Sequence, residues 1–278
     1  MKYYKKIIII MQLLISYCYV FINVVDAYEN ILMPDYNKSP FHFNYTIINN
    51  LAGKNRNGYL GVFTNSAANF KIVPPAGGDC KNGPGQHVQK TAVSNKCIFA
   101  TNGGPFNYPG PFGTSTGCSG VLISDSKTLA NDYKNGATQF GVTKDKQWFI
   151  GNLKNNSQAQ EIGITNLITG FNWIVYNGTS TISTPGGEGA PRTVVGIDEK
   201  NRLMMLEVDG CEKCKDGKGP TMQDISQMMV NLGASYAVNL DGGGSSTSVV
   251  NGTLVNHPTC VDVILKCQRK VTSVVCVV

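Results

Sequence analysis

Two aspartates, each closing a short apolar run and each followed by glycine, could carry chemistry: Val208-Asp209-Gly210 and Leu240-Asp241-Gly242. The second opens into Gly242-Gly243-Gly244 and a hydroxyl run, Ser245–Ser248. Paired carboxylates on one sheet edge suit glycoside hydrolysis, one as acid or base and the other as nucleophile or ion stabiliser. Consecutive glycines cost chain entropy and pack nothing, so a fold keeps them where backbone bends sharply or comes close to a ligand. The amides and hydroxyls of Gly242, Gly243, Gly244, Ser245 and Ser246 would suit a sugar or phosphate oxygen. Either aspartate could instead hydrogen-bond its own turn. Arg192 begins another strand-like run beside Pro191, where its fork could hold a phosphate, with a solvated surface arginine as the alternative. Asn102-Gly103-Gly104 again follows a strand-like segment, Cys97–Thr101.

The elements that must position these residues are legible around them. Leu203–Val208 reads as a strand, and Thr193–Ile197 as its hairpin partner across Asp198–Arg202. The spacing of Met222, Ile225, Met228, Met229 and Leu232 predicts an amphipathic helix over 222–232. Thr221 and Asp224 form its capping box and Gly233 its stop. Its methionines are expected to fill core. With a strand at 236–240, this makes a βαβ unit. If its strands are parallel neighbours, about 4.8 Å apart, Asp209 and Asp241 leave the same edge and face one substrate. Val249-Val250-Asn251-Gly252 reads as a strand running into a hairpin turn. Residues 28–58 show no period and read as an irregular lead-in, and the Gly/Pro-rich stretch 105–120 as a long loop. The expected fold is α+β: a mixed, strand-rich sheet core with few helices and the βαβ unit near the C-terminus. The expected organisation is a signal peptide over 1–27, an extension packed on the core over 28–74, and a main domain over 75–278.

Compartment follows from the first residues and the cysteines. Lys2, Lys5 and Lys6 precede an apolar run, and Val25-Asp26-Ala27 offers a cleavage site, the pattern of a secretory signal. An uncut segment would be long enough to anchor in a membrane. Cleavage removes Cys18 and leaves eight cysteines, an even number for an oxidising compartment. Short separations favour Cys211–Cys214 and Cys260–Cys267. Cys80–Cys118 would clamp the long loop, and Cys97–Cys276 would tie the last strand beside the Asn102 strand. Sequons at Asn37, Asn44, Asn155, Asn177 and Asn251 point to a glycoprotein in the secretory pathway, secreted or soluble in a lumen.

Other chemistries fit poorly. The formal charge of +6 has no dense basic run behind it, so nucleic acid is not an expected partner. The chain holds only 3 histidines, scattered in loop-like contexts, so no metal site is expected. No Walker A sequence occurs and the Gly243–Thr247 stretch lacks the nucleophile-elbow pattern. Cys211-x-x-Cys214 reads as a local disulfide rather than a redox or metal motif.

Taken together, Asn-Gly-Gly at 102–104, Pro-Arg-Thr-Val-Val-Gly-Ile-Asp at 191–198, Val-Asp-Gly at 208–210 and Asn-Leu-Asp-Gly-Gly-Gly-Ser-Ser-Thr at 239–247 resemble the phosphodiester glycosidase family. The resemblance covers roughly residues 75–278, and Arg269 and Cys276 in the tail are similar to its eukaryotic branch. It implies hydrolysis of a sugar-1-phosphodiester, a phosphodiester-linked glycan or small phosphosugar, to free sugar and a phosphomonoester, with no cofactor; no stretch after the signal comes near a transmembrane length, so no membrane span is expected once the signal is cleaved. It also implies Asp241, Asp209 and Arg192 as catalytic residues. Asn102, Gly103, Gly104, Thr193 and the Gly242–Ser246 stretch are the implied substrate ligands. The Cys211–Cys214 insert, and Pro105 after Asn102-Gly-Gly, depart from the family pattern beside the site. A non-catalytic secreted phosphosugar-binding glycoprotein is the competing reading.

Overall fold

Alternation of apolar and polar residues at a period of two sends one face of a strand inward, and this chain uses it to build three antiparallel sheets around one core. The computed structural model describes residues 30–35, 40–53, 56–110, 115–133, 138–184, 186–263 and 265–278. The signal segment and Asn37 lie outside them. A six-stranded sheet orders Ile31–Pro34, Gln147–Gly151, Gln139–Thr143, Ile164–Thr169, Val121–Ser124 and Lys127–Asn131. A seven-stranded sheet orders Thr179–Ser180, Asn172–Tyr176, Ala234–Asn239, Arg192–Asp198, Leu203–Val208, Gly58–Thr64 and His42–Ile48. A five-stranded sheet orders Thr253–Leu254, Ser248–Val250, Phe99–Asn102, Val274–Val277 and Phe70–Val73. Their inward faces share a core in which Phe63, Phe99, Phe140, Trp148, Val195 and Val275 are buried. The fold is α+β and strand-rich, with short helices at Val88–Ser94, Asn156–Ile162 and Met222–Asn231.

The Met222–Asn231 helix forms where its sequence pattern placed it. Thr221 accepts from the Asp224 N–H, Asp224 answers to the Thr221 N–H, and Gly233 takes φ +88° just past the end. Ile225 and Met229 bury against Ile174, Val194 and Leu206 on the outer face of the seven-stranded sheet. Leu203–Val208 and Ala234–Asn239 run parallel, because each is antiparallel to Arg192–Asp198. That strand stands between them. The expected unit is therefore split, and its two carboxyl ends lie two strand spacings apart, about 10 Å.

The described residues between 30 and 58 are more ordered than their lack of period implied. Ile31–Pro34 pairs with Gln147–Gly151, and His42–Ile48 forms an edge of the seven-stranded sheet. An edge strand buries little, so its pattern is diluted. The Asn251-Gly252 turn takes φ +47° and +76° between Ser248–Val250 and Thr253–Leu254, the mirror-image turn that strand twist favours. All four expected disulfides are present: Cys80–Cys118, Cys97–Cys276, Cys211–Cys214 and Cys260–Cys267. Among the described residues, no helix is long and apolar enough to cross a membrane.

Candidate active site

Three of the expected residues leave one edge of the seven-stranded sheet. Arg192 opens its strand opposite Val208, so Asp209 emerges beside it, and Asn239 ends its own strand opposite Val194. The Leu240 N–H donates to the Thr193 carbonyl at 2.8 Å, which carries the chain one residue further. Asp241 then crosses to the five-stranded sheet, its N–H donating to the Gly103 carbonyl at 3.1 Å and its carbonyl accepting from Asn102 Nδ2 at 2.7 Å. Asn102 Oδ1 accepts from Thr193 Oγ1 at 2.8 Å and the Thr247 N–H at 3.1 Å. Asn102 and Thr193 are fully buried. Asn102 holds the Asp241 backbone and the Thr193 carbonyl that of Leu240, and neither residue lines the cleft described next.

The glycines divide in the same way. A Cβ on Gly103 would lie 2.3 Å from Ser273 Oγ, and one on Gly104 2.2 Å from the Thr169 carbonyl oxygen, so both mark close packing inside the fold. In the tract after Asp241 the amides are already used. Gly243 donates to the Pro191 carbonyl at 2.9 Å and Gly244 to Asp262 Oδ1 at 2.8 Å, while Ser245 and Ser246 donate back to Gly242 and Gly243. The expected cradle of free amides is therefore not formed from these four. What the tract supplies is room. A Cβ on Gly242 would lie 2.8 Å from the Pro191 carbonyl oxygen, one on Gly243 would meet Glu212 Oε2 at 2.4 Å, and one on Gly244 would meet Arg269 Nη2 at 2.3 Å. The first bare residue lets the Pro191 backbone close in, and the other two let a carboxylate and an arginine close on the same segment.

These groups line a cleft of about 500 Å³. Its charged wall holds Arg192, Arg269, Asp241, Glu212 and Asp262, and its other wall Phe171, Asn172, Met222 and Asn239. Met222, expected in the core, thus also reaches the cleft. Ser245 and Ser246 are buried behind the tract. The two arginines differ. Arg269 is neutralised by Asp262 at 2.9 Å, donates to the Cys260 carbonyl at 2.9 Å and lies 3.8 Å over the Tyr108 ring. Arg192 donates to the carbonyls of Pro220 and Glu188 at 3.3 and 2.8 Å and has no carboxylate within ion-pair range among the described residues. Burial pushes its pKa down. It is the cation with charge to spare. Asp262 is the hub of both disulfide loops: besides Gly244 and Arg269 it takes Lys213 Nζ at 3.3 Å on its other oxygen, and its carbonyl accepts the Lys213 N–H at 2.9 Å.

Asp241 sits in this setting with its pKa pushed up to about 6, burial outweighing the relief from Ser245, Arg269 and the Gly242 amide. Such a carboxyl changes charge near neutral pH, which suits acid–base work.

Asp209 does not join it. The residue is 4% exposed and absent from the cleft lining. Its Oδ2 accepts from Tyr59 Oη at 3.0 Å and its Oδ1 from the His257 N–H at 2.9 Å. Two residues back on the same strand face, Glu207 is wholly buried, its oxygens making no well-formed hydrogen bond among the described residues although Asn256 lies close enough to relieve its charge in part. Burial raises the pKa of both, that of Glu207 well above the usual carboxylate range. The strands before Asp209 and Asp241 do end at the same sheet edge, but Arg192–Asp198 stands between them, and only Asp241 lines the cleft. Glu212, Asp262, Phe171 and Asn239 were not singled out from sequence.

The sequence model of the phosphodiester glycosidase family matches residues 95–278. The chain belongs to that family. It is 28% identical over 254 residues to N-acetylglucosamine-1-phosphodiester alpha-N-acetylglucosaminidase of Mus musculus, covering 84% of this chain, and 28% identical over 241 residues to that of Homo sapiens, covering 79%. The chain spans about half the length of these relatives, 47% and 45%. Among solved structures, it matches the zebrafish N-acetylglucosamine-1-phosphodiester alpha-N-acetylglucosaminidase catalytic domain auto-inhibited by pro-peptide, with TM-score 0.75 and 26% identity over 90% of this chain and 87% of that one. A hypothetical protein from Synechocystis shares the fold at TM-score 0.54 and 12% identity, over 91% of this chain and 64% of that one.

Proposed function

We propose that this phosphodiester glycosidase family member hydrolyses a sugar-1-phosphodiester of the N-acetylglucosamine-1-phosphodiester type to free sugar and a phosphomonoester. The observation that carries the reading is that Asp241 and Arg192, which makes no ion pair among the described residues, line one cleft. Arg192 binds the phosphodiester anion and offsets its repulsion by Asp241. The bond that breaks is between the anomeric carbon and the phosphate oxygen. A phosphomonoester has a second pKa of about 6, so the leaving oxygen departs with little protonation. Asp241 is needed as the anion, facing the positive charge that grows at the anomeric carbon. Activity should therefore rise with pH through about 6, the pKa at which Asp241 ionises.

The expected compartment is the secretory pathway, with the signal removed. Four disulfides suit an oxidising lumen. Asn44, Asn155, Asn177 and Asn251 are all exposed, as glycan attachment requires.

The deciding experiment incubates the purified protein with a panel of sugar-1-phosphate diesters and assays free sugar. Turnover by the wild type and its loss in Asp241→Asn are expected. Binding of the diesters without release of sugar would instead identify a phosphosugar-binding glycoprotein.

A further inference from the structure

Glycoside hydrolysis ordinarily uses two carboxylates, and Asp209 is tied into a buried network with both oxygens engaged. The cleft holds three further acidic groups near Asp241. Asp262 spends its carboxylate on Arg269, Lys213 and the Gly244 amide. Glu188 is paired with Lys218 at 3.2 Å and is itself exposed. Glu212 is different. It makes no hydrogen bond or ion pair to any described residue, it is partly buried, and its Oε2 lies where a Cβ of residue 243 would be, 2.4 Å away. Gly243 is two residues past Asp241 and sits at φ +56°, so the absence of a side chain there opens the space that this carboxylate takes.

The loop around Glu212 is braced. Cys211 is buried, donates its N–H to the Lys218 carbonyl at 3.0 Å and is bonded to Cys214, and Lys213 is held by both the backbone and the carboxylate of Asp262. A carboxylate without a partner, on a braced loop and facing a cleft, is placed to act rather than to stabilise. Arg192 is near enough for Glu212 to raise its pKa, but not to pair with it.

We propose that Glu212 is the second catalytic carboxylate of this site and the general base toward water. The assignment rests on the hydrolytic reading above. In the step, the water oxygen bonds to the anomeric carbon while Glu212 takes one water proton. The bond from that carbon to the phosphate oxygen breaks, its electron pair leaves with the phosphomonoester, and Glu212 later returns the proton to solvent. Asp241 faces the developing cation throughout.

The test compares wild type, Glu212→Gln and Glu212→Ala on one sugar-1-phosphodiester that the wild type turns over, with circular dichroism to check the fold. Loss of a positioned base lowers rates by about 10²–10⁴-fold, so Glu212→Gln should lose about that in kcat while KM stays within about threefold. Sodium azide, which attacks without giving up a proton, should restore turnover in Glu212→Ala and yield a glycosyl azide. Wild-type-like kcat in Glu212→Gln overturns this assignment and leaves the hydrolytic reading standing. So does a loss confined to KM, which would make Glu212 a counter-charge to Arg192. No turnover by the wild type on any diester overturns both.

Discussion

Asp209 and Asp241 share the same local grammar, an apolar strand, an aspartate and a glycine, and they leave the same sheet edge in the same direction. They end in opposite circumstances. Asp241 steps across to the five-stranded sheet and turns its carboxyl into a cleft with Arg192. Asp209 turns inward, where Tyr59 and the His257 amide take both its oxygens. A strand that ends in Asp-Gly at a carboxyl edge is thus no sign of catalysis by itself. What distinguishes the two is where the next residues go: Gly243 and Gly244 leave space for charged groups after Asp241, whereas Gly210 packs under the 211–219 loop, its missing Cβ 2.2 Å from the Lys218 carbonyl oxygen.

The widest gap between them should show in turnover. Asp241→Asn is expected to lower kcat on a sugar-1-phosphodiester by about 10³-fold or more, in the range of a removed catalytic carboxylate. A variant retaining a tenth of wild-type activity would remove Asp241 from the chemistry. Arg192→Ala comes next. Losing a charge-assisted contact to a partly desolvated anion costs about 2–4 kcal/mol, roughly 30- to 1,000-fold at about 1.4 kcal/mol per decade. The loss should fall on phosphodiesters and spare an uncharged glycoside with a good leaving group. Equal losses on both substrates, with the fold intact, would mean that Arg192 serves the sheet edge and not the phosphate.

Much of this was legible in the sequence, for physical reasons that differ by element. The 222–231 helix carried its own cap, stop and apolar face, all local features. Short separations pointed to Cys211–Cys214 and Cys260–Cys267, whereas Cys80–Cys118 and Cys97–Cys276, 38 and 179 positions apart, were two closures among many that the sequence left open. Asp241 and Arg192 stood out because glycines and proline beside them constrain backbone. Glu212 and Asp262 did not, because nothing local distinguishes a charged residue in a disulfide loop from a solvated one. Their meeting depends on two loops some 50 positions apart closing on one segment, seen in the contact of Lys213 with Asp262 at a separation of 49. The place of Asp209 was misjudged for the same reason. Thr193–Ile197 reads as the hairpin partner of Leu203–Val208, but the strand it belongs to, Arg192–Asp198, also occupies the position next to Ala234–Asn239, which moves the two aspartates apart.

The two aspartates should also separate in stability. Asp241 has its pKa raised from 3.8 to about 6, so the folded state holds its proton more tightly than the unfolded chain. The stability this lends is full below about pH 4 and is lost as pH rises through about 6. A shift of about two units corresponds to about 3 kcal/mol. Asp241→Asn removes the charge and should gain part of that at pH 7.5, raising Tm by several degrees while abolishing turnover, and the gain should vanish near pH 4. A variant that is less stable at both pH values would show that the Asp241 carboxylate is held by its surroundings rather than strained by them.

Tyr59→Phe probes the other aspartate and should have the smallest effect of the series. It removes only the phenolic donor that Asp209 Oδ2 accepts at 3.0 Å, at a residue 6% exposed and away from the cleft lining. The deleted atom leaves no cavity larger than a hydroxyl, so the cost is that of one buried acceptor losing its partner, about 1–2 kcal/mol. For a chain of this size that is a fall in Tm of about 2–8 °C. Because Asp209 is buried with its pKa already raised, the orphaned carboxyl should bind a proton more readily, and the loss should be greater at pH 8 than at pH 5. Turnover, measured well below melting, should stay within about twofold, since neither residue meets the cleft. A fall in kcat approaching that of Asp241→Asn would place the Tyr59–Asp209 network inside the catalytic machinery and undo the contrast between the two aspartates.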